Sequence, residues 1–251
     1  MTADPIMHLA RLLTPSDRIV SVVGAGGKTS CIFALARYLV CQGSSVLITT
    51  TTQMAYPAEE VPGAFRLLTG DWFQRQRVQP NENQQLDIAF QSLNPEQDKL
   101  VGYASSVIEA IARQTSYDAI LIEADGARQK PIKAPAAHEP VIPKATTLVL
   151  GVVGLSSLGT ALNHTNAHRA EHLSRLLKQP MDTTITEESI VKLIRHPEGL
   201  FKSTPDTARR IVLLNQADSP AIDACAHRIK ASLQNAGKGN SIGAIVAGRL
   251  A

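Results

Sequence analysis

A chain of 251 residues has room for one large α/β domain or two small ones, and its 44% hydrophobic content excludes a disordered chain. Aromatic residues, at 4%, are too few for base-stacking nucleic-acid modules, and a formal charge of +3 from dispersed basic residues offers no polyanion face. No apolar run approaches the length of a bilayer span, so neither nucleic acid nor membrane is expected as a partner.

The opening MTADPIMHLA lacks the charged-then-apolar order of a secretion signal. Cys31, Cys41 and Cys225 show no paired spacing and fall in apolar helical patterns, so buried free thiols in a reducing cytoplasm are expected. Residues 18–23, RIVSVV, form a β-branched run that ends at glycine, as a buried strand does. Past Lys28 and Thr29, the residues Ile32, Leu35, Ala36, Leu39 and Val40 recur at helical spacing, and Gly43 fits a C-terminal cap. SVLITT, residues 45–50, is a second strand, so this region reads as a βαβ unit with a parallel sheet.

Residues 53–102 are polar and weakly patterned. FRLLTG and LDIAF within them read as short strands that the sequence does not order. From Ser105 the helical period returns through Val107, Ile108 and Ile111. YDAILIEADG and TTLVLGVVG are third and fourth buried strands, and residues 160–205 read as mainly helical and polar. RRIVLLNQAD gives a fifth strand. Ser219 and Pro220 then open a helix that carries Ile222, Cys225, Ala226, Ile229 and Leu233 and stops near Gly237, and SIGAIVAG closes the series. The expected fold is α/β and P-loop NTPase-like, a mostly parallel sheet flanked by helices. Residues 1–251 would form a single domain, with an irregular insertion at 53–102 and a mainly helical segment at 160–205.

The segment VVGAGGKTS, residues 22–30, carries the first chemistry. A triphosphate needs a tight turn whose backbone N–H groups converge with no side chains in the way, and Gly24, Ala25, Gly26 and Gly27 supply one. A helix beginning beside Lys28 adds its N-terminal dipole. Lys28 would reach the β- and γ-phosphates, the Thr29 hydroxyl would bind Mg²⁺, and the cradle would run through Ser30, with ATP or GTP as the nucleotide. The usual first glycine of a P-loop is replaced by Val22 here. The shortened G-x-x-G-K-T spacing resembles the loop of the Mur ligases and folylpolyglutamate synthetases. The alternative is a glycine-rich turn with an incidental Lys-Thr pair; a strand before and a helix after favour the cradle.

ILIEADG is the expected second half of the site, because acids at the carboxyl end of a buried strand sit at the ligand crevice of an open α/β sheet. Asp125 is assigned to the metal with Thr29, and Glu123 is the reserve acid; either could instead orient the attacking water. Thr51 and Thr52, at the end of the second strand, are candidates for the γ-phosphate or the metal's water shell, although β-branched threonines also simply favour strands. LLNQAD resembles the N-K-x-D base-reading loop of GTPases. Asp218 would accept the guanine hydrogens and Asn215 would contact the ring, but Gln216 stands where a lysine is usual. The alternative is an Asn-Asp turn capping a helix. His164, His168 and His172 are four residues apart, a spacing that puts side chains on one helix face; an exposed polar face is favoured over a metal site.

Four segments together, VVGAGGKT, ITTTTQM, EADGARQKPIKAPAAHEPVIP and LNQAD, resemble the YqeC family, accessory proteins of selenium-dependent molybdenum hydroxylases. VVGLSSLG and AHRAE, the latter with His168, Arg169 and Glu171, fit the same pattern. The resemblance implies nucleotide chemistry in selenium cofactor biosynthesis or insertion. The partners it implies are a selenium-dependent molybdenum hydroxylase or the proteins that make its cofactor. It also draws attention to Arg128, Lys130, Lys133, His138 and Glu139, in a loop stiffened by Pro131, Pro135 and Pro140, as candidates for a second anionic ligand. Three readings follow: a Mg²⁺-dependent nucleoside triphosphatase or phosphotransferase, an ATP-dependent ligase of the Mur kind, and a non-enzymatic, nucleotide-gated chaperone or delivery protein.

Overall fold

The apolar runs of the sequence become the central strands of one parallel sheet. The computed structural model describes residues 4–55, 65–75, 86–234 and 242–250. The first part of the chain forms α1 (Pro5–Leu12), β1 (Ile19–Gly24), α2 (Lys28–Cys41), β2 (Val46–Thr50), β3 (Gln53–Ala55), β4 (Arg66–Thr69) and α3 (Trp72–Arg75). Next come β5 (Leu86–Phe90), β6 (Ser92–Asn94), β7 (Lys99–Val101), α4 (Ser105–Gln114), β8 (Ala119–Glu123) and β9 (Ile132–Lys133). The last part adds β10 (Leu148–Gly154), β11 (Ala167–His168), α5 (Ala170–Leu177), α6 (Glu187–Arg195), β12 (Arg209–Asn215), α7 (Pro220–Gln234) and β13 (Ala244–Ala247).

Eight strands lie in the order β13-β12-β10-β1-β8-β2-β5-β4, and each neighbouring pair is parallel. The fold is α/β and P-loop NTPase-like. Every residue of β1, β2, β8 and β10 is buried, as parallel strands covered on both faces require. Side chains alternate between the faces. Val20, Val22, Ile48 and Leu121 pack beneath α1 and α2 with Ile32 and Leu35. On the opposite face Leu47, Ile120 and Ile122 meet α4, whereas Val153, Val212 and Leu214 meet the layer of α5, α6 and α7.

The order has one functional consequence. From β1 the chain reaches β2 and then β8 on one side of β1, and only afterwards crosses to β10 on the other. The carboxyl ends of β1, β8 and β10 therefore border a topological switch point, the place where open α/β sheets bind ligands.

FRLLTG and LDIAF become β4 and β5 at the far edge of the sheet, while β3, β7 and β6 form a small antiparallel sheet nearby. The rest of the expected 53–102 insertion includes residues 56–64 and 76–85, which lie outside the described residues, as does the expected helix stop near Gly237. The 160–205 segment holds α5 and α6, and also β11, which pairs with β9. A helix absent from the sequence expectations is α1. Asp4 caps it through Ile6 N at 2.9 Å with Pro5 in its first turn, and Ile6 and Leu9 anchor it in the core. Of the three free cysteines only Cys31 is buried. Cys41, in the last turn of α2, is exposed and Cys225 is half-buried, contrary to the expectation of buried thiols. Among the described residues no helix is long and apolar enough to cross a membrane.

Candidate functional site

Gly24 to Lys28 carry the chain from β1 into α2, and the glycines are required by close backbone approach. Gly24, Gly26 and Gly27 have φ of +96°, +90° and +113°. A Cβ at Gly26 would lie 2.3 Å from the Gly154 nitrogen, and one at Gly24 would lie 2.2 Å from the Val152 oxygen. Three loop amides are committed inward: Gly24 N donates to Asp125 Oδ2 at 3.1 Å, Ala25 N to Val152 O at 2.9 Å and Gly26 N to Lys130 O at 3.1 Å. The amides of Gly27, Lys28, Thr29 and Ser30 have no partner among the described residues, and α2 has no side-chain N-cap. The outward-facing donors are thus the first turn of α2 and the residue before it, rather than the whole glycine loop. These residues line a cleft of about 1080 Å³ at the switch point.

Beneath the loop lies a buried charge cluster. The Lys28 side chain is 4% exposed; its Nζ donates to Gly24 O at 2.9 Å and lies 3.2 Å from Asp125 Oδ1 and 3.7 Å from Glu123 Oε1. Burial by itself would lower the Lys28 ammonium, but the Asp125 and Glu123 carboxylates outweigh it and raise its pKa above the ordinary lysine value. Burial pushes the Glu123 carboxyl up, with Lys28 and the Thr29 hydroxyl opposing that shift. Asp125 Oδ2 also meets Lys133 Nζ at 2.9 Å, so this carboxylate is shared by two lysines. Its Oδ1 is buried without an aligned hydrogen bond.

Thr29 Oγ1 donates to Glu123 Oε2 at 2.8 Å on the wall of the cleft. A hydroxyl and one carboxylate fit Mg²⁺, which takes one or two protein oxygens and completes its octahedron with phosphate and water. The structure brings Thr29 to Glu123, while Asp125 is the partner of Lys28 and Lys133. Among the described residues no three His, Cys, Asp or Glu side chains cluster as a metal site. His168 lies in β11, ahead of α5, so His164, His168 and His172 do not share a helix face; His164 Nε2 instead meets Glu171 Oε1 at 3.1 Å on the surface.

The other candidates divide. Lys133 is buried and binds Glu139 Oε2 at 2.7 Å and Gly126 O at 2.6 Å besides Asp125. Glu139 is held by Arg169 as well, through Nη2 at 3.0 Å and a second contact from Nη1. Burial would raise the Glu139 carboxyl, but hydrogen bonds from Arg169 and Lys133 override it and bring its pKa down to about 2. Thr52, Arg128, Lys130 and Glu139 line the cleft; Thr51 turns away to donate to Val141 O at 2.8 Å, and His138 is exposed outside the lining. Asn215 is buried with both ends of its amide engaged, Nδ2 donating to Gly26 O at 2.7 Å and Oδ1 accepting from Leu250 N at 3.1 Å. It braces the loop from below. Asp218 is exposed and lies 3.4 Å from Arg249 Nε.

The family model described as YqeC protein matches residues 20–171, which span the loop, the acids and the segment through Arg169. The chain belongs to the YqeC family. It is also 38% identical over 198 residues to the uncharacterized protein YqeC of Escherichia coli (strain K12), covering 79% of this chain and 75% of that relative. In this YqeC-family protein the cleft gathers backbone strain as well as charge. Among its lining residues, the non-glycine positions Arg128, Gln129, Arg169 and Gln216 have φ of 48°, 60°, 59° and 63°. Residues held in the left-handed region cluster where surrounding structure over-determines them for function. Sequence reasoning does not reach Arg169 or Gln216 as cleft residues. Arg169 follows a two-residue strand, and Gln216, which accepts from Ser156 Oγ at 2.6 Å, reaches the cleft only because β12 lies beside β10.

Proposed function

We propose that this YqeC-family protein binds a nucleoside triphosphate with Mg²⁺ and hydrolyses or transfers its terminal phosphoryl group, in the cytoplasm, during maturation of selenium-dependent molybdenum hydroxylases. The observation that carries the nucleotide reading is the uncapped start of α2, whose free amides line the cleft beside the Thr29–Glu123 pair. The maturation role rests on the family resemblance of the sequence.

In this reading the Gly27–Ser30 amides hold the phosphate chain, and Lys28 swings from Asp125 toward phosphate oxygens as they arrive. Lys133 keeps Asp125 neutralised during that exchange, so no carboxylate is left buried and unpaired. Thr29 and Glu123 would hold Mg²⁺, which would supply positive charge to offset that on the phosphoryl oxygens.

Calorimetric titration with Mg-ATP and Mg-GTP tests this. Wild type is expected to bind at least one of them, with Lys28→Ala weakening it about 100-fold, or about 2.7 kcal/mol. Removal of Mg²⁺ by a chelator is expected to weaken binding too. If wild type binds neither nucleotide, or Lys28→Ala binds as tightly as wild type, the reading fails.

A further inference from the structure

Beside the main cleft lies a smaller niche of about 390 Å³, lined by Arg128, Lys130, His164, Ala167, His168 and Arg169. Three of these side chains are cations, and none is a carboxylate. Lys130 Nζ spends one proton on Thr165 O at 2.7 Å. Arg169 uses Nη1 and Nη2 on Glu139, which leaves donors of its five-proton fork uncommitted. The Arg128 guanidinium is exposed and has no hydrogen-bond or ion-pair partner among the described residues. Arg128, Gln129 and Arg169 all hold left-handed backbone conformations, which for non-glycine residues are costly ways to place side chains.

Like charges gathered with too few counter-charges repel one another, and an anion removes that cost. We propose that the niche is a second ligand site, for the phosphate or phosphomonoester end of a small acceptor held in the same cleft as the nucleotide. As an acceptor site it rests on the nucleotide reading; as an oxyanion site it stands without it. Planar guanidinium forks recognise tetrahedral oxyanions by paired donors, and Arg128 and Arg169 supply two of them beside a lysine. The niche shares Arg128, Lys130, His168 and Arg169 with the main cleft, so a ligand anchored there opens toward Thr29 and Glu123.

His168 reports on the charge of this niche. Burial lowers its pKa first, then Arg169, Lys133 and Arg128 add to the effect against the opposing Glu139, and the ring titrates at about 4. An anion seated among these cations offsets their repulsion of the imidazolium, so His168 should titrate at higher pH in its presence.

The test titrates inorganic phosphate and glycerol 3-phosphate, separately and without nucleotide, into wild type and Arg128→Ala by calorimetry. The His168 ring is followed by NMR across pH. Saturable binding of either probe is expected, about tenfold weaker in Arg128→Ala and accompanied by an upward move of the His168 titration. Tighter binding of glycerol 3-phosphate identifies an organic phosphate as the ligand; equal or tighter binding of inorganic phosphate identifies the free anion. The proposal is overturned if neither probe binds, or if Arg128→Ala binds as wild type does. It is also overturned if saturating Mg-ADP expels the probe, since the niche would then belong to the nucleotide. Because the phosphate titration contains no nucleotide, a failure of nucleotide binding leaves its outcome readable.

Discussion

At the end of β1 the cations and carboxylates are matched side chain for side chain, whereas around residues 128–130 positive charge stands without that match. Lys28 and Lys133 share Asp125, Glu123 engages Thr29, and Glu139 closes the cluster with Arg169. Arg128, on the opposite bank, has no such partner among the described residues. The matched bank is tolerated in the interior because its charges are paired, and removing one partner there is costly. On the unmatched bank Lys130 Nζ meets only a backbone carbonyl, Thr165 O, at 2.7 Å among the described residues. One cleft thus carries a charge-balanced floor and a basic wall.

Lys133→Ala should have the largest effect. It leaves Asp125 and Glu139 short of a partner inside the fold, and urea unfolding should show a loss of about 3–5 kcal/mol. Gly26→Ala should cost about 2–4 kcal/mol, from a left-handed alanine and a Cβ driven against Gly154. It should also weaken Mg-nucleotide binding by displacing the start of α2. Thermal unfolding and calorimetry check the two effects.

Glu139→Gln should cost about 1–3 kcal/mol near neutral pH. The folded-state pKa of Glu139 is depressed to about 2 from an ordinary 4.5, so its stabilisation is complete above 4.5 and lost as pH falls through 2. In a pH series of denaturant midpoints, Glu139→Gln should lack that part of the acid limb. Arg128→Ala gives the smallest effect. Its stability should stay within about 0.5 kcal/mol of wild type in the same urea assay, and a large loss would show that the basic wall is structural after all.

Local sequence carried the central strands and the helix after Lys28. Strands buried on both faces of a parallel sheet must be nearly continuous apolar runs, and helices must repeat their apolar residues near every fourth position. It carried the glycine loop too, since only glycine adopts those conformations against a neighbouring strand. The edge position of β4 and β5 was not legible, because pairing order is a choice among strands that look alike locally. Nor was α1, eight residues whose amphipathic pattern is short and whose cap is a single aspartate.

The family, the βαβ beginning and the residue types at the end of each strand are legible along the chain, because they depend on near neighbours. How those residues meet is set by the folded arrangement of the strands. The inward turn of the Gly24–Gly26 amides depends on Val152, Lys130 and Asp125, and the Thr29–Glu123 pairing depends on β8 lying next to β1. The separation of matched from unmatched charge joins residues as distant in sequence as Lys28 and Arg169. Electrostatic energy in a buried site is a function of distance through space, and the chain reveals that distance only once it has folded.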